Sequence, residues 1–154
     1  MKTRIGIAVV VLAALMVATA VHATEESKKS GNVILVPAGE AKWSDVATSP
    51  GVKMAVVEGD ATKGPFHFLV KFPGGFSAPL HHHTSNHYVT VVAGTLVLTV
   101  DGEEKKLPAG SFFAFTGKKK HETKCEAGAD CVLAIDCRGK WDVVPEQARS
   151  SAKK

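Results

Sequence analysis

Five of the seven histidines in this 154-residue chain form a pattern that could do chemistry. They are His81, His82, His83, His87 and, further along the chain, His121. Histidine is the commonest metal ligand in proteins, and it binds as the neutral imidazole near neutral pH. Residues two apart on a strand point to the same face, so His81 and His83 share a face that His82 does not. The pattern predicts a metal site.

The elements that must position these histidines are predicted to be short β-strands. Residues 66–72 alternate between apolar and other side chains, with Phe66, Phe68 and other apolar residues on one face. Residues 96–100 run into Asp101-Gly102, the strongest hairpin-turn signal in the chain. Glycine and proline separate such strands at regular spacing, which is typical of an all-β sandwich or barrel. A closed roll would also leave few exposed strand edges.

Two stretches of the chain resemble the two conserved motifs of the cupin superfamily. The first reads Gly75, five residues, His81-x-His83, three residues, His87, six residues and Gly94. The second reads Gly102, five residues, Pro108-x-Gly110 and, after a longer stretch than in the shortest family pattern, His121. The resemblance implies a double-stranded β-helix, the jelly-roll barrel of cupins, over residues 33–145. The stretch from Pro50-Gly-Val-Lys through Phe72-Pro-Gly-Gly also resembles cupins that are similar to the metal-binding domain of certain anti-sigma factors.

The resemblance implies a metal site built from four histidines. It places His81, His83 and His121 at the three histidine positions of the family, and it places His87 where the family has a glutamate. Four neutral imidazoles leave the full charge of a divalent ion uncompensated, which favours an anionic ligand. The implied cofactor is one divalent transition metal ion, and the sequence leaves open whether it is Fe, Mn, Zn, Ni or Cu.

Two functions from different classes fit such a site. One is a metal-dependent oxygenase that acts on a small oxygen-bearing anion, with Lys118, Lys119 and Lys120 as an anion-attracting rim. The alternative is a non-catalytic metal- or ligand-binding module of the cell envelope. Glu122 and Asp136 fall on the outward faces of their strands, so no general base accompanies the metal ligands. Whether the chain is an enzyme stays open.

Three cysteines lie close together near the end of the predicted barrel. A hairpin centred on Gly128 would place Cys125 opposite Cys131, at a distance that permits a disulfide. We therefore predict a Cys125–Cys131 bridge. Cys137 is left as the odd thiol, and we predict a buried apolar role for it, with a reactive thiol as the alternative.

The first 23 residues have the pattern of an export signal. Lys2 and Arg4 precede an apolar run over 5–17, and small-residue cleavage sites end at Ala20 and Ala23. The apolar run is too short to span a membrane. We predict cleavage after Ala23, export to the periplasm or the medium, and no membrane span once the signal is removed.

The net charge does not indicate a nucleic-acid partner. It is +4 for the whole chain and falls to +2 when Lys2 and Arg4 leave with the signal. The predicted partner is instead a small anionic molecule. A homodimer through residues 33–36 is left open by analogy with cupins. Segments 24–32 and 146–154 are predicted to be a disordered start and a polar tail.

Overall fold

The structure, a computed structural model, describes residues 32–146 of the chain. The predicted signal peptide lies outside these residues, as do residues 24–31 of the predicted loose start and residues 147–154 of the predicted tail. The described part consists of eleven β-strands and one short 3-10 helix, Ala38–Glu40. Among the described residues, no helix has the length and apolar character needed to cross a membrane.

The strands, numbered in chain order, form two antiparallel sheets. The first sheet has the order β1 (Ser44–Asp45), β2 (Lys53–Gly59), β3 (Phe66–Phe72), β10 (Cys131–Cys137), β5 (His87–Ala93) and β8 (Phe112–Phe115). The second has the order β11 (Val144–Pro145), β4 (Ser77–His82), β9 (His121–Cys125), β6 (Thr95–Val100) and β7 (Glu103–Pro108). From β3 to β10 the chain passes back and forth between the sheets. The all-β jelly-roll prediction is confirmed.

The core lies between the two sheets and follows the alternation seen in the sequence. Phe66, Phe68 and Val70 of β3 are buried, as their shared face predicts. The neighbouring strand β10 places Leu133 beside Val70 and Ile135 beside Phe68. Each such apolar side chain stabilises the fold by about 1.5–3 kcal/mol when it is fully buried.

The predicted turn at Asp101-Gly102 joins β6 to β7. Both residues adopt the left-handed conformation, with φ of 54° for Asp101 and 85° for Gly102. A two-residue hairpin turn of this kind matches the twist of the flanking strands, and glycine adopts it without steric cost. The turn fixes the register that pairs Val100 with Glu103.

The cysteines confirm one prediction and correct another. Cys125 and Cys131 form the predicted disulfide, with a Cα–Cα distance of 5.8 Å. The predicted hairpin between them is wrong, because β9 pairs with β4 and β6 while β10 pairs with β3 and β5. The bridge therefore ties the two sheets together. Cys137 is a buried free thiol whose pKa is raised by burial.

Candidate metal centre

The four histidines predicted as metal ligands meet inside the barrel. His81 lies on β4, His83 follows the end of that strand, His87 begins β5 and His121 begins β9. All four side chains are buried, with no residue more than 7% exposed. His81 and His121 are direct partners across the β4–β9 pair, which brings the two predicted motifs together.

Three of the four histidines form a group that can hold a metal ion. Ring nitrogens of His81, His83 and His121 all lie within 4.8 Å of one another. Two nitrogens bound to one metal at about 2.1 Å lie about 3–4 Å apart, so small side-chain adjustments would suffice. His87 lines the same pocket, with its ring centroid 4.7 Å from that of His83 and 6.5 Å from that of His121. Its ring lies beside the three-histidine group and would have to move toward His121 to share an ion with it.

The backbone orients all four imidazole rings in the same way. Each ring uses Nδ1 to bond a main-chain carbonyl, namely Pro79 for His81 at 2.7 Å, Asp142 for His83 at 2.5 Å, Ser85 for His87 at 3.1 Å and Lys119 for His121 at 3.0 Å. A carbonyl only accepts hydrogen bonds, so each Nδ1 carries the proton and each Nε2 keeps its lone pair. Outer contacts of this kind fix the tautomer of metal-binding histidines.

Burial keeps these imidazoles neutral. It lowers the pKa of His83 to about 3 and the pKa of His121 to about 4. It also lowers the pKa of His81 and His87. In each case the hydrogen bond to the carbonyl opposes this effect, but burial outweighs it. A metal binds the deprotonated nitrogen, so the four rings are in the ligand state at neutral pH.

The rest of the pocket is apolar. It has a volume of about 100 Å³ and extends from the histidines toward both sheets. Apart from the histidines, its polar lining among the described residues consists of Ser49 and Thr123, and no carboxylate or amine faces it. The apolar walls are Val46, Val52, Met54, Val70, Phe72, Phe76, Ala78, Val89, Leu96, Phe113, Leu133, Ile135, Trp141 and Val143. The pocket therefore offers no side chain for general acid–base chemistry besides the histidines.

The loop between β10 and β11, residues 138–143, contacts His83. The indole of Trp141 stacks on the His83 ring at a centroid distance of 4.1 Å and an interplanar angle of 26°. The Asp142 carboxylate holds the segment in place by accepting hydrogen bonds from the Thr84 backbone N–H and hydroxyl, at 2.7 and 2.6 Å. Burial would raise the pKa of Asp142, but the bonds from Thr84 lower it below its usual value. Nothing in the sequence pattern around Trp141 signals this role.

The remaining predicted site residues lie outside the pocket. His82 points away from the other histidines and bonds Glu146, with 2.8 Å between Nδ1 and Oε1. Of the predicted lysine rim, Lys119 pairs with Asp101 at 2.5 Å and Lys120 pairs with Glu146 at 2.7 Å. Lys118 is exposed.

Comparisons with known proteins agree with this architecture. The chain matches the family model of the cupin domain over residues 68–136. It is 26% identical over 132 residues to the DNA damage-repair/toleration protein DRT102 of Arabidopsis thaliana. The matched region covers 79% of this chain and 38% of DRT102, so the chain spans well under half of that relative.

Solved structures share the fold at low sequence identity. The polyketide cyclase RemF from Streptomyces resistomycificus superimposes with a TM-score of 0.65 at 14% identity, covering 77% of this chain and 89% of that one. A chain of the complex between Rhodobacter sphaeroides SigE and the anti-sigma ChrR gives a TM-score of 0.53 at 21% identity, covering 66% and 51%. At these identities the likeness establishes the shared fold alone.

Proposed function

We propose that this chain, which matches the family model of the cupin domain over residues 68–136, is a metal-binding cupin whose ion is held by His81, His83 and His121, with His87 as fourth ligand. The observation that carries this proposal is the group of three ring nitrogens within 4.8 Å of one another. The donor set fits a divalent transition metal, because imidazole suits Zn, Cu, Fe and Ni. Four main-chain carbonyls leave every Nε2 free for that ion.

We propose further that the site works as a metal-dependent oxygenase on a small oxygen-bearing anion. When bound, a divalent metal would supply Lewis-acid or redox chemistry. The protein contributes four neutral ligands, so the positive charge of the ion is kept and favours an anion. Its walls are largely apolar, which strengthens electrostatic interactions within the pocket. The lack of a lining carboxylate or amine supports a metal-centred reaction over proton transfer by the protein.

The alternative, from another class, is a non-catalytic metal- or ligand-binding module of the cell envelope. The same lack of acid–base groups favours it, because binding needs none. We also propose that the chain is exported. The Cys125–Cys131 disulfide supports an oxidising compartment, and residues 1–23 carry the pattern of an export signal.

Elemental analysis of the purified protein tests the metal site. We expect about one divalent metal ion per chain in the wild type and none in His83→Ala. His82→Ala is the matched control, because His82 adjoins His83 in sequence and points away from the pocket. Its metal content should equal that of the wild type. A wild-type protein that binds no Fe, Mn, Zn, Ni or Cu would refute the proposal.

The two functions separate on the loaded protein. Metal-dependent oxygen uptake with a panel of enolisable or phenolic anions would support the oxygenase. A bound ion that raises the thermal stability but supports no turnover on that panel would support the binding module.

A further inference from the structure

We infer that the ligand of this pocket is a small apolar monoanion, with one oxygen-bearing head group and a hydrocarbon body, and that polyhydroxylated molecules are rejected. The inference rests on the proposed metal site and adds the chemical class of the ligand.

The head group follows from the charge of the site. Each of the four rings bonds a main-chain carbonyl through Nδ1 and would give the lone pair of Nε2 to the ion, and among the described residues no Asp, Glu, Lys or Arg side chain lines the pocket. The metal would therefore be the single charge inside it. A divalent ion in an apolar surrounding attracts an anion and repels a cation. A carboxylate or enolate oxygen therefore fits the histidine end better than an amine does.

The hydrocarbon body follows from the walls. Val70, Leu133 and Ile135 face the pocket from two neighbouring strands, and Met54, Phe76 and Phe113 complete this surface. A ligand hydroxyl placed against them would lose its bonds to water without gaining a partner. Such a loss lowers affinity by roughly 10- to 100-fold for each hydroxyl. The hydroxyls of Ser49 and Thr123 could partner one or two ligand hydroxyls but not the several of a sugar or polyol, so such molecules are poor ligands.

The size of the body follows from the volume. The pocket offers about 100 Å³, whereas an apolar cavity of about 150 Å³ binds benzene. The body buried here should therefore contain about four to six non-hydrogen atoms. A short branched carboxylate meets all three requirements.

Titration calorimetry on the metal-loaded full chain tests the inference with two probes of equal heavy-atom count. We expect 3-methylbutanoate to bind at least tenfold more tightly than 4-hydroxybutanoate. The neutral 3-methylbutanamide and the cation 3-methylbutylammonium should bind more weakly than 3-methylbutanoate. Equal or tighter binding of 4-hydroxybutanoate, or no binding of 3-methylbutanoate, overturns the inference and leaves the metal site standing. Failure to load any metal overturns the proposed function itself.

A pair of matched variants ties the preference to the pocket wall. Val70→Thr keeps the side-chain volume but places a hydroxyl in the wall, so the preference for 3-methylbutanoate should shrink at least threefold. Val92→Thr makes the same change on the outer face of the sheet, where Val92 is 54% exposed, and should leave the preference unchanged. Metal content is measured for each variant. An unchanged preference in loaded Val70→Thr would contradict the assigned wall.

Discussion

Histidines inside the barrel and His67 on its outer face differ in what their two ring nitrogens contact. His67 projects outward from β3, with 2.9 Å between its Nδ1 and Glu58 and 3.3 Å between its Nε2 and Asp136. Both of its nitrogens thus face carboxylates. Each buried histidine bonds a main-chain carbonyl through Nδ1 and leaves Nε2 free. The buried histidines differ from His67 in two respects: their Nε2 atoms have no carboxylate neighbour, and three of them lie close enough together to share an ion.

Strand register produces both arrangements. Glu58, His67 and Asp136 lie side by side on three neighbouring strands, so their outward side chains meet in one row. The side chain of His67 is 47% exposed and that of Glu58 is 55% exposed, and polar contacts between such exposed groups contribute at most about 1 kcal/mol. Inside the barrel, desolvation lowers the pKa of the imidazoles by more than their hydrogen bonds to carbonyls raise it, so the rings stay uncharged.

The largest expected effect is the loss of metal affinity when a buried histidine, and not the outer His67, is replaced by alanine. Removing one of three close ligands should raise the Kd for Co²⁺ or Zn²⁺ more than about 100-fold in His81→Ala. His67→Ala should change it less than twofold, because His67 lies on the outer face of the sheet and does not line the pocket. Competition with a chelator measures both. Equal losses in the two variants would remove the distinction between the inner and outer environments.

The sequence was sufficient to predict which histidines face the inside of the barrel. Strand parity separated His82 from His81 and His83, and the family resemblance brought in His121. Local spacing could not show which sheet receives a strand, so it paired β9 with β10 although the two lie in different sheets. The distance of His87 from the three-histidine group depends on how two sheets pack. The stacking of Trp141 on His83 depends on a loop that carries no periodicity.

A smaller loss of affinity is expected when the support of a buried histidine is removed. Trp141→Ala leaves His83 in place but removes the stacked indole, and loss of outer contacts typically costs 10- to 100-fold in metal affinity. We expect a loss near 10-fold. Trp43→Ala is the control, because the Trp43 ring lies 4.9 Å from the Lys71 ammonium and does not line the pocket. The chelator assay serves here as well, and an unchanged Kd in Trp141→Ala would assign the indole to packing alone.

The pH dependence of stability should distinguish the buried histidines as a group. Their folded pKa values lie below the ordinary 6.5, at about 3 for His83 and about 4 for His121. The unfolded chain therefore binds more protons between those values, so stability is full above about pH 6.5 and is lost as the pH falls toward 4. Without metal, we expect the Tm to fall by several degrees over this range. His83→Phe should reduce the slope, whereas an equal slope in this variant would show that other groups dominate.

The smallest expected effect concerns the lysines predicted as an anion-attracting rim. Lys119 and Lys120 are paired with carboxylates, and Lys118 is exposed. Like His67, all three lie on the surface and outside the pocket. Screening acts over about 8 Å at physiological salt and about 30 Å at 0.01 M. Replacing all three by glutamine should therefore weaken anion binding to the loaded protein less than twofold at 0.15 M salt, and a few-fold at 0.01 M. Calorimetry with 3-methylbutanoate at both salt concentrations measures this. A tenfold loss that persists at 0.15 M salt would mean that a lysine contacts the anion directly, and the charge of the pocket would then extend beyond its metal.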